Sequence, residues 1–262
     1  MHHWTKRLFA IAAPLLLTGC LWGPGKFASD LAIRKDGSFT LDYRGELVLQ
    51  LPPDAMPEPW KAEMAHCSSD DGADRACTAG EIADQKKKHE ESAARKLKDS
   101  EDMAKAFGLP GLDDQSNRAF AAKLMKYAGW RSVTYRGKGV FDIDYHMEGS
   151  TRQDFLFPAL PDNDLLIPFI AIRRRTDGSV LVTAPAFTGG SGPMAARAGA
   201  AAAAQMKDGP VSRAQGRFTV MTDGEILTNN SEDGASPAPI GRQLRWDVGP
   251  ASTKIPETLI RL

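Results

Sequence analysis

The stretch that decides the fold is FASDLAIRKDGSFTLDYRGELVLQL, residues 27–51. Two extended runs flank Asp36-Gly37, a dipeptide typical of the tight turn between paired strands. In the second run, every second residue from Phe39 to Tyr43 is apolar, which is the period of a strand with one buried face. The stretch therefore predicts an antiparallel β-hairpin, which the Pro-rich segment 52–59 brings to an end.

The same signals return in the second half of the chain. WRSVTYRGKGVFDIDYHME, residues 130–148, predicts a hairpin that turns at residues 137–139. Residues 165–185 predict another, with its turn at Asp177-Gly178. GRFTVMTDGEILTN, residues 216–229, is either one strand with a break or a hairpin, and RQLRWDV and ETLIRL supply the last strands.

A long charged helix is predicted between these strand-rich parts. Thr78 and Glu81 fit a capping box at its start. Its apolar residues form only a thin stripe, so we expect a solvated helix that lies loosely on the body. A helix that binds a partner is the alternative.

A second, amphipathic helix is predicted over residues 116–128. Phe120, Leu124 and Tyr127 share one face, which we expect to pack on the sheet, and Gly129 is a natural C-terminal stop.

Runs of strands with the helices segregated in one block predict an α+β fold. We expect a mainly antiparallel, curved sheet of about eight or nine strands in a single domain, residues 20–262. The helical insertion covers residues 78–129, and a Gly/Ala-rich insertion covers residues 188–210.

The first twenty residues, MHHWTKRLFAIAAPLLLTGC, have the order of a secretory signal peptide: basic, apolar, then small residues. The apolar run is too short to cross a bilayer, which needs about 20 residues. Leu17-Thr18-Gly19-Cys20 resembles the lipobox of bacterial lipoproteins, in which the cysteine is acylated and becomes the mature N-terminus. We therefore expect residues 1–19 to be removed and Cys20 to carry palmitate-type acyl chains. A chance cysteine near an ordinary cleavage site is the alternative.

The resemblance implies a membrane anchor on the periplasmic side of the cell envelope. Leu21 follows the cysteine in place of the Asp that resembles an inner-membrane retention signal, which favours the outer membrane. The chain has 33 basic and 33 acidic residues, so it lacks the electrostatic footprint of a nucleic-acid-binding protein.

Cys67 and Cys77 close a short polar loop, which favours a disulfide in an exported protein. Two free thiols are a second possibility. A metal site with His66 and His89 is a third, although structural zinc sites use four ligands in compact spacing.

TGGSGPMAARAG, residues 188–199, resembles loops that bind phosphate or present a nucleophile. The relaxed dinucleotide pattern within it needs a strand–helix–strand unit, which the sequence does not predict here. A nucleophile elbow around Ser191 fails because residue 193 is proline. We predict a spacer between strands, and no cofactor.

Asp142, Asp144, His146 and Glu148 alternate with apolar residues along one predicted strand. Neighbours on one face lie about 6.6–7 Å apart, too far to share one metal ion easily. We therefore predict a solvated outer face rather than a metal or acid–base site.

Arg173, Arg174 and Arg175 precede a predicted turn. Three guanidinium groups are suited to contact with anionic lipid headgroups. A soluble turn whose charge is balanced by Asp177 is the alternative.

The pattern as a whole resembles the bacterial LppM-type lipoprotein domain. The residues that carry the resemblance are the LTGC box, the opening FASDLAIRKDGSFTLDYRGEL and the closing FTVMTDGEILTNN and GRQLRWDV. The helical block and the Gly/Ala insertion lie outside it. The resemblance implies an α/β fold with a cavity that accommodates lipid, and no enzymatic activity.

Two functions follow for testing. The first is a lipid-anchored, non-enzymatic envelope protein that binds a hydrophobic or lipid ligand, or a protein partner, and has no catalytic residues. The second is a periplasmic hydrolase whose site, including His146 or Ser191, is assembled only in three dimensions.

Overall fold

The computed structural model describes residues 22–49, 57–69, 72–106, 110–160, 168–188 and 214–262. Of these residues, 45% lie in strands and 20% in helices. The described residues include two α-helices, α1 (Ala79–Ala106) and α2 (Asp114–Leu124), and a short 3-10 helix, Ala62–Met64. The strands, in chain order, are β1 (Trp22–Ile33), β2 (Ser38–Leu49), β3 (Cys67–Ser68), β4 (Asp74–Arg75), β5 (Trp130–Gly137), β6 (Val140–Ser150), β7 (Phe155–Phe157), β8 (Ile170–Arg174), β9 (Val180–Thr183), β10 (Gln215–Thr222), β11 (Glu225–Asn229), β12 (Ser236–Ala238), β13 (Gly241–Val248) and β14 (Glu257–Arg261).

The described strands form three sheets, none of them closed. The largest has seven strands in the order β12-β13-β10-β1-β2-β6-β5, the next has five in the order β11-β14-β9-β8-β7, and β3 pairs with β4. The predicted α+β fold with one curved sheet of eight or nine strands is therefore wrong, because the protein is mostly β and its strands divide between packed sheets. One central pair, β1 with β10, is parallel.

The three hairpins predicted from their turns are confirmed. Strands β1 and β2 pair antiparallel around the turn at Gly37, which has the positive φ of 85° that favours glycine. Strands β5 and β6 pair around residues 137–139, and β8 and β9 pair around Gly178. The segment 216–229 is neither a broken strand nor a hairpin, because β10 belongs to the seven-stranded sheet and β11 to the five-stranded sheet.

An aromatic layer joins the two large sheets. Tyr43 of β2 contacts Phe157 of β7, with ring centroids 5.0 Å apart, and Phe27 of β1 stacks on Phe187 at 4.1 Å. Phe187 also contacts Phe218 of β10 at 5.4 Å. All these rings are buried, so the inner faces of the sheets meet in a densely packed apolar interior.

Helix α2 covers the inner face of the seven-stranded sheet near the start of β1. Its N-cap is Asp113, whose side chain accepts a hydrogen bond from the Ser116 amide, and Phe120 stacks on Trp22 at 5.3 Å. Phe120 and Leu124 are buried as predicted, but Tyr127 is 46% exposed. The helix was predicted to continue to residue 128, but it ends at Leu124, so Tyr127 lies beyond its buried face.

Helix α1 begins where the capping box predicts. Glu81 accepts hydrogen bonds from the amide and the hydroxyl of Thr78, at 2.8 and 2.9 Å, and the Thr78 hydroxyl accepts one from the Glu81 amide at 3.3 Å. Most of the helix surface is exposed, which agrees with the prediction of a solvated helix.

The sandwich has two distinct ends. Trp22 pairs with Leu49 at one end, which we call the proximal end. Strand β13 stops before that end, because Val248 pairs with Gly216, which lies beside Phe27. The turns at residues 34–37 and 175–178 lie at the other end, which we call the distal end. Phe39, just after the first turn, contacts Phe155, and Phe155 pairs with Ile172, just before the second turn. A strand of twelve residues such as β2 spans about 40 Å between the two ends.

Candidate functional site

A surface cleft lies where β11 and β13 stop, at the level of Phe27 in the middle of β1. Its volume is about 520 Å³, within the range of sites that hold small ligands. Phe187, Trp246, Val248 and Pro256 form an apolar part of its lining. Loop 249–256, which leads from β13 to β14, closes one side.

Trp246 is held in place by two contacts. One face of its indole stacks on Phe218, with ring centroids 5.6 Å apart, and its Nε1 donates a hydrogen bond to Asn230 Oδ1 at 3.0 Å. The surface that Trp246 contributes to the cleft therefore comes from the opposite face and the ring edge. A fixed aromatic wall of this kind loses little conformational entropy when a ligand binds.

Asn230 ties together the two loops that flank the cleft. Its Nδ2 donates to the Ile255 carbonyl at 2.7 Å, and its Oδ1 also accepts from the Glu257 amide at 2.9 Å. Gly249 is further held by the Ser252 hydroxyl, which accepts from its amide at 2.9 Å. Hydrogen bonds between side chains and the backbone therefore hold the loops around the cleft.

The rim of the cleft is charged. Glu232, Asp233 and Lys254 are exposed and form no ion pair within the described residues. Asp247 differs, because its hydrogen bond with Arg245 and a second one with Arg217 hold the pKa of its carboxyl below the usual value. The cleft thus combines an apolar floor with unpaired charges of both signs at its mouth.

The predicted solvated face of β6 is confirmed. Phe141, Ile143 and Tyr145 are buried in the interior, while the alternating polar side chains lie on the outer face of the seven-stranded sheet. Asp142 pairs with Arg136 at 2.6 Å, and Asp144 pairs with Arg44 at 3.3 Å. This face is largely neutralised by its own ion pairs.

His146 lies on that face between two carboxylates. Its Nδ1 is 2.8 Å from Asp42 Oδ1, and its Nε2 is 3.6 Å from Glu148. Arg131 approaches the same Asp42 oxygen at 3.9 Å. An imidazole oriented by a carboxylate is one part of a hydrolytic triad, but the group placed at Nε2 is another carboxylate rather than a nucleophilic hydroxyl.

The disulfide predicted between Cys67 and Cys77 is confirmed, with an S–S distance of 2.05 Å and a Cα–Cα distance of 5.3 Å. Gln85 of helix α1 donates to the His66 carbonyl at 3.0 Å and accepts from the His66 amide at 3.1 Å, which docks the small hairpin on the helix. His89 contacts the Glu58 carbonyl, away from the sulfurs. No group of three potential metal ligands occurs among the described residues.

Arg173, Arg174 and Arg175 are all exposed at the distal end. Asp177 accepts hydrogen bonds from the hydroxyl and the amide of Ser179, at 2.6 and 3.0 Å. These bonds are the main reason why the pKa of Asp177 is lowered, and Arg175 contributes less. The lowered pKa keeps the Asp177 carboxylate charged, so it still balances part of the charge of the arginines.

Several predicted residues lie outside the described part of the chain: Cys20 and the signal peptide, Ser191, and residues 189–210 of the Gly/Ala insertion. None of the described helices is long and apolar enough to cross a membrane.

The cleft was not predicted from the sequence, because its lining comes from separate segments around Phe187, Asn230 and Trp246. The available signal was Trp246 itself, an aromatic residue at an inward position of the strand RQLRWDV. In comparisons with known proteins, no family model matches the chain and no curated protein matches its sequence.

Proposed function

We propose that this chain is a lipid-anchored protein of the periplasmic side of the cell envelope, with the outer membrane favoured, and that it binds a hydrophobic ligand without catalysing a reaction. The observation that carries the proposal is the cleft with its partly apolar lining, which lies where β11 and β13 stop. Cys20, in its lipobox, precedes Trp22, where β1 begins.

The short distance along the chain from Cys20 to the fold supports this arrangement. Cys20 is two residues before Trp22, so the two Cα atoms are at most about 7 Å apart. Trp22 is only 1% exposed and contacts Phe120 and Phe141, at 5.3 and 5.6 Å. An acylated Cys20 would thus hold the proximal end against the membrane.

The cleft suits a ligand with an apolar part and a polar end. The interior between the sheets is filled by aromatic rings, so the cleft is the better place for a ligand than the cavity that the LppM resemblance implies. The half-buried Trp246 offers apolar contact, while Lys254 and Glu232 offer charge at the mouth. Ligand sites commonly combine a largely apolar wall with a few polar groups.

The hydrolase alternative has less support. His146 faces Glu148 rather than a hydroxyl, and it lies on the outer face of the sheet instead of in the cleft. Ser191, the other residue considered, lies outside the described residues. A protein partner at the cleft is the remaining alternative, and the binding experiment below distinguishes it.

The anchor is tested by replacing the acylated residue. We expect Cys20→Ser to leave unprocessed precursor and to abolish incorporation of labelled fatty acid. The control is the double variant Cys67→Ser with Cys77→Ser, because it keeps Cys20 and should still be labelled. Normal labelling of Cys20→Ser would contradict the anchor.

Ligand binding is tested on a chain that begins at residue 20 with Cys20→Ser, since every described strand and helix lies at or after Trp22. The probe is a fluorescent long-chain fatty acid. Gly249 lines the cleft, and a Cβ added there meets nothing within 4 Å, so Gly249→Phe should fit without strain and obstruct the cleft. Gly80→Phe is the matched control, because Gly80 also has open space but lies on helix α1.

We expect saturable binding of the probe that Gly249→Phe weakens at least about tenfold, because an added side chain in the cleft competes with the ligand. Gly80→Phe should leave the affinity unchanged. Absence of saturable binding, or equal affinity of both variants, would contradict a hydrophobic ligand and leave the protein partner as the better proposal.

A further inference from the structure

The charged residues that line the cleft differ in whether they are paired. Arg245 and Asp247 form an ion pair with each other at 2.8 Å, so their charges cancel locally. Glu232, Asp233 and Lys254 also line the cleft, but they are exposed and form no ion pair with any described residue. The free charges at the mouth are therefore two carboxylates and one ammonium group.

These free charges of opposite sign belong to different loops. Glu232 and Asp233 lie in the loop between β11 and β12, whereas Lys254 lies in loop 249–256, between β13 and β14. Glu232 and Asp233 are successive residues, so the two carboxylates belong to one side of the cleft. The mouth thus has a negative site on one loop and a positive site on another.

The backbone next to each site is held by hydrogen bonds. The Ser231 hydroxyl donates to a carbonyl of β13 at 3.0 Å, which fixes the chain just before Glu232. The Ile255 carbonyl, next to Lys254, accepts from Asn230 Nδ2 at 2.7 Å. A ligand therefore meets two sites whose backbone is already positioned, which lowers the entropy cost of binding.

A ligand with a single charge satisfies only one of the two sites. A fatty acid can pair with Lys254, but Glu232 and Asp233 repel its carboxylate. An alkylamine can pair with the two carboxylates, but Lys254 repels its ammonium group. A headgroup with both an ammonium and an acidic group gains contact at both sites, because an ammonium has three donors and Lys254 can donate to the acidic oxygens.

We infer that the ligand of the cleft is a zwitterionic amphiphile whose apolar chain lies against Trp246. Its ammonium group contacts Glu232 and Asp233, and its acidic group contacts Lys254. The inference names the ligand class of the same cleft, and it rests on the proposed function for the presence of an apolar chain. The volume of about 520 Å³ suits a drug-sized ligand, so a single-chain amphiphile is the suitable probe.

A set of related probes separates the contributions of the two charges and the chain. Lysophosphatidylethanolamine carries both charges, and lysophosphatidic acid with the same acyl chain lacks the ammonium group. An alkylamine of the same chain length lacks the acidic group, and glycerophosphoethanolamine lacks the chain. Calorimetry below the critical micelle concentration gives each Kd for the unacylated chain that begins at residue 20 with Cys20→Ser.

Two variants remove the sites one at a time. Lys254→Gln removes the positive site, and Glu232→Gln with Asp233→Asn removes the negative site. Thermal unfolding of each variant establishes that it folds. A variant with a damaged cleft would lose affinity for every amphiphile, whereas loss of one charged site should change the selectivity between probes.

The matched controls remove the same charges from helix α1, which contributes no residue to the lining of the cleft. They are Lys98→Gln and the double variant Asp84→Asn with Glu91→Gln, all at exposed positions. Because these charges lie outside the cleft and are screened by salt, the controls should leave each Kd nearly unchanged.

We expect lysophosphatidylethanolamine to bind about three- to tenfold more tightly than either singly charged amphiphile, as one or two solvent-exposed ion pairs would give. Lys254→Gln should weaken its binding about three- to fivefold without weakening the alkylamine. Glu232→Gln with Asp233→Asn should weaken it by a similar factor without weakening lysophosphatidic acid.

If lysophosphatidic acid or the alkylamine binds as tightly as lysophosphatidylethanolamine, the zwitterionic headgroup is wrong, while the proposed hydrophobic ligand stands. Equal loss of affinity for all amphiphiles in both variants would also overturn the inference. If glycerophosphoethanolamine binds as tightly as the probe with a chain, the headgroup contacts stand and the hydrophobic ligand is wrong. Absence of binding by every amphiphile would contradict the proposed function and, with it, this inference.

Discussion

Phe187→Ala is the sharpest test of the aromatic layer that joins the two sheets. Phe187 is fully buried, and its ring lies within 6.5 Å of the rings of Phe27, Phe218, Phe169 and Tyr43. Replacement of a buried Phe by Ala costs about 3–5 kcal/mol, and each lost aromatic pair contributes about 0.5–1.5 kcal/mol beyond area burial. With four ring contacts we expect a loss near the upper limit, about 4–5 kcal/mol.

For a chain of this size, about 1 kcal/mol corresponds to about 2–4 °C in Tm, so Phe187→Ala should lower Tm by about 8–20 °C. Thermal and urea unfolding measure the change, and the urea m-value should stay constant. Tyr127→Ala is the matched control, because Tyr127 is an exposed aromatic residue outside the layer, and it should lower Tm by less than about 2 °C. A loss below about 1.5 kcal/mol for Phe187→Ala would refute the sandwich packing.

Two further predictions concern the start of helix α1 and the adjacent hairpin. The Arg75 side chain and the Thr78 amide lower the pKa of Glu81 to about 2. The contact therefore stabilises the fold fully above pH 4.5, and this stabilisation is lost as the pH falls through about 2. NMR titration of the Glu81 carboxyl should give a pKa of about 2, and an ordinary value near 4.5 would contradict the contact. Cys67 and Cys77 should resist alkylation without reductant, and reduction should lower the free energy of unfolding by at most about 3 kcal/mol, as expected for a short loop. Alkylation of both thiols in the unreduced protein would show that the disulfide is wrong.

The features that the sequence predicted correctly are local. Asp36-Gly37 and Asp177-Gly178 specify turns through the chemistry of a few residues, and the capping box at Thr78 needs only contacts within one helical turn. The face of β6 that carries His146 also followed from alternation alone. Each of these signals is complete within about ten residues.

The division into packed sheets was not predictable in this way. Strands β1 and β10 pair although Lys26 and its partner Gln215 are far apart in the sequence, and no local pattern specifies that parallel pair. Asp223-Gly224 resembles a hairpin turn, but the chain there passes from one sheet to the other. The cleft depends on the β1–β10 pairing and on the crossing at Asp223-Gly224, because Phe187 and Trp246 meet only when the two sheets are stacked.

The central claim is that acylated Cys20 holds the proximal end toward the membrane, so that the cleft is nearer the membrane than the distal turn is. The most direct measurement places one fluorescent label at Ala251→Cys, in the cleft loop, or at Thr176→Cys, in the distal turn; both positions are exposed. The acylated protein is reconstituted in neutral vesicles that carry a lipid-attached quencher. We predict strong quenching at residue 251 and weak quenching at residue 176, and equal or reversed quenching would contradict the account.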